Sequence, residues 1–184
     1  MRVISGTAKG VRLARVPRGV RPVSDMAREG LFSSIATALP SARVLDLYAG
    51  TGALGIEALS RGAGHATFVE RNPAANRTIA QNLERTRLSD RAQVVRADVL
   101  DLLSRDDKRG APFDLVLADP PYDGPEEQVL AAARLLTSGW LAGHRWTVVL
   151  TRGTRSSMPV IPVDWRVARR LEYGDTLVLV FREV

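Results

Sequence analysis

Cysteine is missing from the 184-residue chain, which excludes a disulfide scaffold, a thiolate zinc site and a cysteine nucleophile. His65 and His144 are the only histidines, too few for a histidine-rich metal centre, so no metal is expected. No stretch approaches the ~18 apolar residues of a membrane span. The opening MRVISGTAKG carries no apolar core of signal-peptide length. A soluble, reduced, cytoplasmic protein without a membrane partner is the expectation. Acids are absent from the first 24 residues, which hold Arg2, Lys9, Arg12, Arg15, Arg18 and Arg21. The net charge is +6, and the remainder balances 20 bases against 20 acids, so the whole excess lies in that opening segment. Clustered Arg and Lys gain affinity for a phosphate backbone by releasing its counterions, which suggests a polyanion partner. A solvated basic tail would have the same composition.

What is present reads as one ordinary globular domain, 45% apolar and 25% charged, with enough chain to bury a core unaided. RVISG (2–6) and VRLARV (11–16) alternate apolar and polar residues across TAKG, the pattern of a β-hairpin. With the Pro- and Gly-rich connector PRGVRP, this makes a basic N-terminal unit over 1–22, ahead of a main domain over 23–184. Ser24 or Asp25 caps a helix with Met26, Leu31, Phe32, Ile35 and Leu39 at roughly helical spacing, ended by Pro40. Strands are expected at 43–48, 65–70, 92–98, 113–119 and 146–153, alternating with helices that end at Gly62 or span 73–88, 99–106 and 125–139. Two long strands close the chain around Tyr173-Gly174-Asp175. Strand–helix alternation implies an α/β fold: a mostly parallel seven-stranded sheet with helices on both faces and an antiparallel C-terminal edge.

The first of those strands feeds AGTGALG, so Gly50, Gly52 and Gly55 form G-x-G-x-x-G between a strand and a helix. Glycines there allow a tight turn and close approach to a ligand, and the helix N-terminus adds positive potential. Glu70, at the tip of the next strand, is at the right distance to accept ribose hydroxyls. These features fit NAD, FAD or S-adenosylmethionine, and glycines that merely pack a helix on a strand would look alike. Asp46 is an acid inside the apolar strand, four residues before Gly50, and is costly without a partner. A pyrophosphate has little use for a nearby negative charge, whereas the ammonium and sulfonium of S-adenosylmethionine do. Asp98, at the tip of the third strand, can hold an adenine amine, cap the following helix, or both.

The fourth strand ends in Asp119-Pro120-Pro121-Tyr122. The prolines have fixed φ and no N–H, leaving nearby carbonyls free to accept. A carboxylate, a free carbonyl and a flat ring match an exocyclic amine on a planar base. Two acceptors take its N–H groups and the ring stacks the base. Holding the amine so aims its lone pair at an electrophile, which is catalysis by positioning. The strand's carboxyl end lies on the same rim as the glycine loop, where open α/β sheets bind ligands. A plain strand-terminating turn is the alternative.

VLDLYAGTGALG resembles motif I of class I S-adenosylmethionine-dependent methyltransferases, and DPPY resembles the (D/N)PP(Y/F) motif of those that methylate amino groups on nucleobases or glutamine. RVISGTAKGVRLARVP, RPVSDMAREGLF and LEYGDTLVLVFR are similar to the RsmD family of small-subunit ribosomal RNA guanine-N2 methyltransferases, and the resemblance covers nearly the whole chain. Tyr48 departs from it, since related loops often have Phe there. The resemblance implies a Rossmann-like fold with S-adenosylmethionine as cofactor. Its methionine part would lie on Asp46, Tyr48, Ala49, Gly50, Thr51 and Gly52. Glu70 would take the ribose hydroxyls and Asp98 the adenine, with Arg71 and Val99 also binding the cofactor. Asp119 would border both ligands. Asp119 and the Pro120 carbonyl would orient guanine N2, with Pro121 shaping the turn and Tyr122 stacking. The implied partner is 16S ribosomal RNA within an assembled or assembling 30S subunit, met by a monomer. Arg2, Lys9, Arg12, Arg15, Arg18 and Arg21 would contact its phosphates. Arg28 and Glu29 would line the cleft or form a surface pair. Competing readings are a methyltransferase of DNA or protein glutamine, a nicotinamide or flavin oxidoreductase that leaves Asp46 and DPPY unexplained, and a non-catalytic RNA-binding protein.

Overall fold

The structure, a computed structural model, describes residues 1–14, 23–105, 107, 111–121 and 126–184. Seven strands form one sheet: β1 (Arg43–Leu47), β2 (His65–Val69), β3 (Ala92–Val95), β4 (Leu115–Ala118), β5 (Thr147–Gly153), β6 (Trp165–Tyr173) and β7 (Thr176–Glu183), in the order β3-β2-β1-β4-β5-β7-β6. The first five are parallel; β7 pairs antiparallel with β5 and with β6. The expected α/β sheet with its antiparallel C-terminal edge is therefore what forms. The order reverses between β1 and β4, so their carboxyl ends open a crevice at the sheet's switch point.

Helices α1 (Asp25–Ser34), α2 (Ala53–Ser60) and α3 (Pro73–Thr86) cover one face, and α4 (Val99–Leu103) and α5 (Glu126–Leu136) cover the other. Because strand side chains alternate, Val44, Leu115, Leu117, Val149, Val178 and Val180 meet the first group, while Leu45, Leu47, Val116, Val148, Leu150 and Leu179 meet the second. The second face is rich in large rings, with Trp165 packed 4.9 Å from Trp146 and 5.7 Å from Phe181. Ser24 rather than Asp25 caps α1, its hydroxyl accepting from Ala27 N–H at 3.1 Å. Asn72 caps α3, with Pro73 next, as the residue types favour. Met26, expected among the apolar positions of α1, is 69% exposed: Ala27, Arg28, Leu31 and Phe32 occupy the buried face and leave position 26 outside it.

The N-terminal hairpin forms, but its ladder is short. Arg2 and Arg12 bridge antiparallel, flanked by Val3 N–H to Val11 O at 3.0 Å and Leu13 N–H to Met1 O at 3.2 Å. Beyond that the donors go elsewhere. Ile4 and Ser5 N–H give to the Glu57 carboxylate at 2.8 and 3.0 Å, Thr7 N–H to Ser60 O at 2.8 Å, and Ala8 N–H to Ser60 Oγ at 3.0 Å. Strand pairing over the whole of 2–6 is thus replaced by docking on α2. Gly6 is required there: its φ is 84°, and a Cβ would stand 1.8 Å from the Ser60 carbonyl oxygen. Val3, Ala8 and Leu13 enter the same core as α1, α2 and α3. Residues 15–22, with Arg15, Arg18 and Arg21, lie outside the described residues.

Candidate active site

The crevice is assembled from strand ends. After β1 the chain turns through Tyr48, Gly50 and Gly52 at φ 57°, 56° and 76°, and α2 starts immediately. Positive φ is easy for the two glycines and strained for Tyr48, a departure from regular geometry of the kind found where a loop faces a ligand. Ala49 N–H gives to Val69 O at 3.1 Å and Gly52 N–H to Ala49 O at 2.7 Å, which closes the loop on itself and on β2. Gly55 serves packing: a Cβ there would lie 2.3 Å from Phe68 Cε1 and 2.9 Å from Asp46 Oδ2. Thr51 is buried, and its carbonyl accepts from Asn82 Nδ2 at 2.9 Å.

Asp46 is 1% exposed and accepts from Gly55 N–H at 2.9 Å. Burial pushes its carboxyl well above the usual carboxylate range; the Gly55 bond opposes this, and the Asp119 and Glu70 charges add to it. Glu70 bridges the loop and α3: Oε2 accepts from Gly50 N–H at 3.0 Å and Oε1 from Asn72 N–H at 2.8 Å. Asp98 caps α4, Oδ1 accepting from Leu100 N–H at 2.9 Å, while Oδ2 stands 3.7 Å from Nη1 of the exposed Arg71. Val99, the first residue of α4, is buried against the aromatic face of the sheet. Burial, with Asp98 nearby, pushes the Tyr48 hydroxyl up to about 12, so it stays a neutral donor.

Asp119 follows β4, its N–H reaching Leu47 O at 3.4 Å and so extending the pairing with β1. Its side chain is half-buried, and Thr151 Oγ1 on β5 donates to Oδ1. Burial lifts its carboxyl to about 6 even though the Thr151 bond pulls it down. Pro120 is buried and Pro121 exposed. An apolar hollow behind Tyr48 and Pro120 is walled by Val129, Leu150 and Ile161. Tyr122 lies outside the described residues.

The crevice thus gathers Asp46, residues 48–52, Glu70, Asp98 and Asp119. Asp98 has Arg71 beside it, whereas Asp46 is buried with the Asp119 and Glu70 charges nearby, so a bound ammonium or sulfonium would relieve the charge that burial opposes at Asp46. The donor set and the left-handed loop therefore fit S-adenosylmethionine. Among the described residues no group of three or more His, Asp or Glu is placed to hold a metal ion.

Arg2, Lys9 and Arg12 stand exposed on the hairpin. Arg28 is fully buried where the hairpin meets α1 and α2: Nη2 gives to Arg2 O at 2.7 Å and Asp25 Oδ1 at 2.6 Å, and Nη1 is 3.7 Å from Glu57 Oε2. Glu29 is exposed, so a surface pair of Arg28 with Glu29 does not form. Two contributors escaped the sequence reading. Asn82, fully buried, accepts from Ala14 N–H at 2.7 Å while giving to Thr51, joining the hairpin's exit to the glycine loop. Thr151 is the other. Each was marked by a polar residue among apolar ones on a core-facing position: Asn82 beside Leu83 in α3, Thr151 in WTVVLTRG.

A family model described as conserved hypothetical protein 95 matches residues 1–182. The Escherichia coli K12 protein named ribosomal RNA small subunit methyltransferase D is 34% identical over 178 residues, 95% of this chain and 86% of its own length. YlbH of Bacillus subtilis, whose name assigns it provisionally to rRNA methylation, is 35% identical over 184 residues, 100% of this chain and 99% of its own length. Among solved structures, that of the E. coli protein yhhF superposes with a TM-score of 0.85 at 33% identity, covering 100% of this chain and 97% of that one. The chain belongs to the conserved hypothetical protein 95 family, the RsmD family of ribosomal RNA small subunit methyltransferases.

Proposed function

We propose that this protein transfers a methyl group from S-adenosylmethionine to the exocyclic N2 amine of a guanine in 16S ribosomal RNA. It acts in the cytoplasm as a monomer, on an assembled or assembling 30S subunit. The observation that carries this reading is the pairing of two acids at the switch point: Asp46 under the left-handed glycine loop, and Asp119 on the neighbouring strand end beside two prolines.

S-adenosylmethionine, when bound, supplies an electrophilic methyl on a sulfonium, so no covalent bond to the protein is needed. Asp46 would face its positive charge, residues 48–52 would hold its methionine part, Glu70 would accept from the ribose and Asp98 from the adenine. Asp119 accepts one N–H of the guanine amine and the Pro120 carbonyl the other, which points the nitrogen lone pair along the line of transfer. Ionised above a pH of about 6, Asp119 is also placed to receive the proton the alkylated amine sheds. Tyr122 stacks on the base. The base must leave its stack, at roughly a few kcal/mol and less in an open loop. Arg2, Lys9 and Arg12, with Arg15, Arg18 and Arg21, hold phosphates and set position rather than sequence.

The test offers tritiated S-adenosylmethionine with unmethylated 30S subunits, naked 16S RNA and duplex DNA, alongside an Asp119→Ala control. Label in ribosomal RNA guanine, lost in the control, is the expected result. Label only in DNA or protein would keep the amine chemistry and overturn the RNA assignment.

A further inference from the structure

Thr151 is fully buried near the end of β5, between β4 on one side and β7 on the other, paired in register with Val178. It lies two residues after Val149, so its side chain emerges on the face that α1, α2 and α3 cover, the face toward which Asp46 also points. A hydroxyl in that place must find a partner, because an unmatched buried polar group is costly. The near acceptors are Asp119 Oδ1, which is in contact, and the Ala118 carbonyl, at 3.5 Å. A hydroxyl has one proton to give, and the shorter contact takes it. The Asp119 charge reaches Asp46, whose carboxyl it raises, while at Asp119 itself burial is what opposes ionisation.

Resting on the reading of Asp119 as the acceptor for the substrate amine, we propose that Thr151 is a positioning residue for methyl transfer: its buried hydroxyl holds one oxygen of Asp119 so that the other faces the amine. Three consequences follow from that single bond. The carboxylate rotamer is set by a rigid β-branched side chain in the middle of a sheet. One oxygen remains for an N–H donor, and an ionised carboxylate offers no proton to a carbonyl, so the site selects an amine over a keto edge. The donated proton also favours the charged form of Asp119 against burial.

The test compares Thr151→Val, which keeps the shape and removes the hydroxyl, with Thr151→Ser, which restores it. Melting temperature and S-adenosylmethionine affinity are measured beside turnover from pH 5.5 to 9. The expected result for Thr151→Val is a kcat lower by roughly tenfold to a hundredfold at neutral pH, the worth of one bond to a charged group. The acid limb of the pH profile moves up by about one unit, cofactor affinity is unchanged, and Thr151→Ser recovers both rate and profile. A valine variant with the parent profile, or with reduced rate and an unmoved acid limb, overturns the proposal. Should valine fail to fold, Thr151→Ala is read the same way. An Asp119→Ala enzyme that still methylates would instead overturn the reading of Asp119 itself, which keeps the two failures distinct.

Discussion

The two halves of the crevice hold their acids by different means. On the β1–β2–β3 side every carboxylate is fixed by main-chain donors: Asp46 by Gly55 N–H, Glu70 by Gly50 and Asn72 N–H, and Asp98 by Leu100 N–H. On the β4–β5 side, among the described residues, Asp119 is met by the Thr151 side chain, and it is followed by two residues that have no N–H to offer. Main-chain donors cannot be removed by changing a side chain, so the first half is preformed and robust. With no N–H on Pro120 or Pro121, the second half puts fewer local donors beside its acceptors, as suits a site for an amine. The contrast is one between binding and turnover.

The sharpest way to break the comparison is to neutralise one acid from each half. Asn at either position keeps size and an acceptor oxygen. Asp46→Asn is expected to weaken S-adenosylmethionine binding by roughly tenfold to a hundredfold, as loss of one charged contact does. Turnover at saturation should stay close to that of the parent. Asp119→Asn is expected to lower kcat about a thousandfold with cofactor affinity intact, since a mispositioned amine loses both its aim and its proton acceptor. Isothermal titration with the cofactor and single-turnover label transfer separate the two. Equal effects of both variants on binding would erase the distinction.

How much of this was legible beforehand follows the same division. Asp46, the glycines, Glu70, Asp98 and Asp119 all sit at strand ends, and the alternation of strands and helices places strand ends on one rim. Nothing tertiary is needed to see it. Thr151 and Asn82 act through contacts 32 and 31 residues away in sequence, which no local pattern encodes. The hairpin shows the same limit. Its alternation of apolar and polar residues predicted a full ladder, yet the donors of Ile4, Ser5, Thr7 and Ala8 went to Glu57 and Ser60, more than 50 positions on. Arg28 reads as a surface residue by type and is buried because Glu57, Asp25 and the Arg2 carbonyl converge on it.

A second test attacks the preformed half at Gly55, whose lack of a side chain makes room for the bond its N–H gives to Asp46. Gly55→Ala places a methyl group 2.3 Å from Phe68 Cε1 and 2.9 Å from the Asp46 oxygen that Gly55 N–H holds. Overpacking of that kind is expected to cost about 1–3 kcal/mol, read as a lower denaturation midpoint at unchanged slope. Cofactor affinity should fall with it, because the displaced carboxylate and the loop move together. A stable Gly55→Ala protein with parent affinity would show that the fingerprint's third glycine is dispensable here.

The smallest effect is a stability difference that changes with pH. A carboxyl whose folded pKa is raised binds its proton more tightly in the native state than in the unfolded one. Between the ordinary carboxyl value of 3.8 and about 6, the native protein therefore holds more protons, and stability falls as pH rises. The contribution of Asp119 is fully present below 3.8 and lost above about 6. Asp119→Asn cannot ionise and escapes that loss. The variant is expected to be more stable than the parent at pH 7.5 by about 1 kcal/mol, a figure reduced for the half-exposure of the group. The advantage should vanish near pH 4, where the parent is protonated too. Parallel urea titrations at the two pH values measure it. A constant difference at both would mean that packing rather than charge separates the proteins, and that Asp119 does not store the electrostatic strain which the positioning of an amine can relieve.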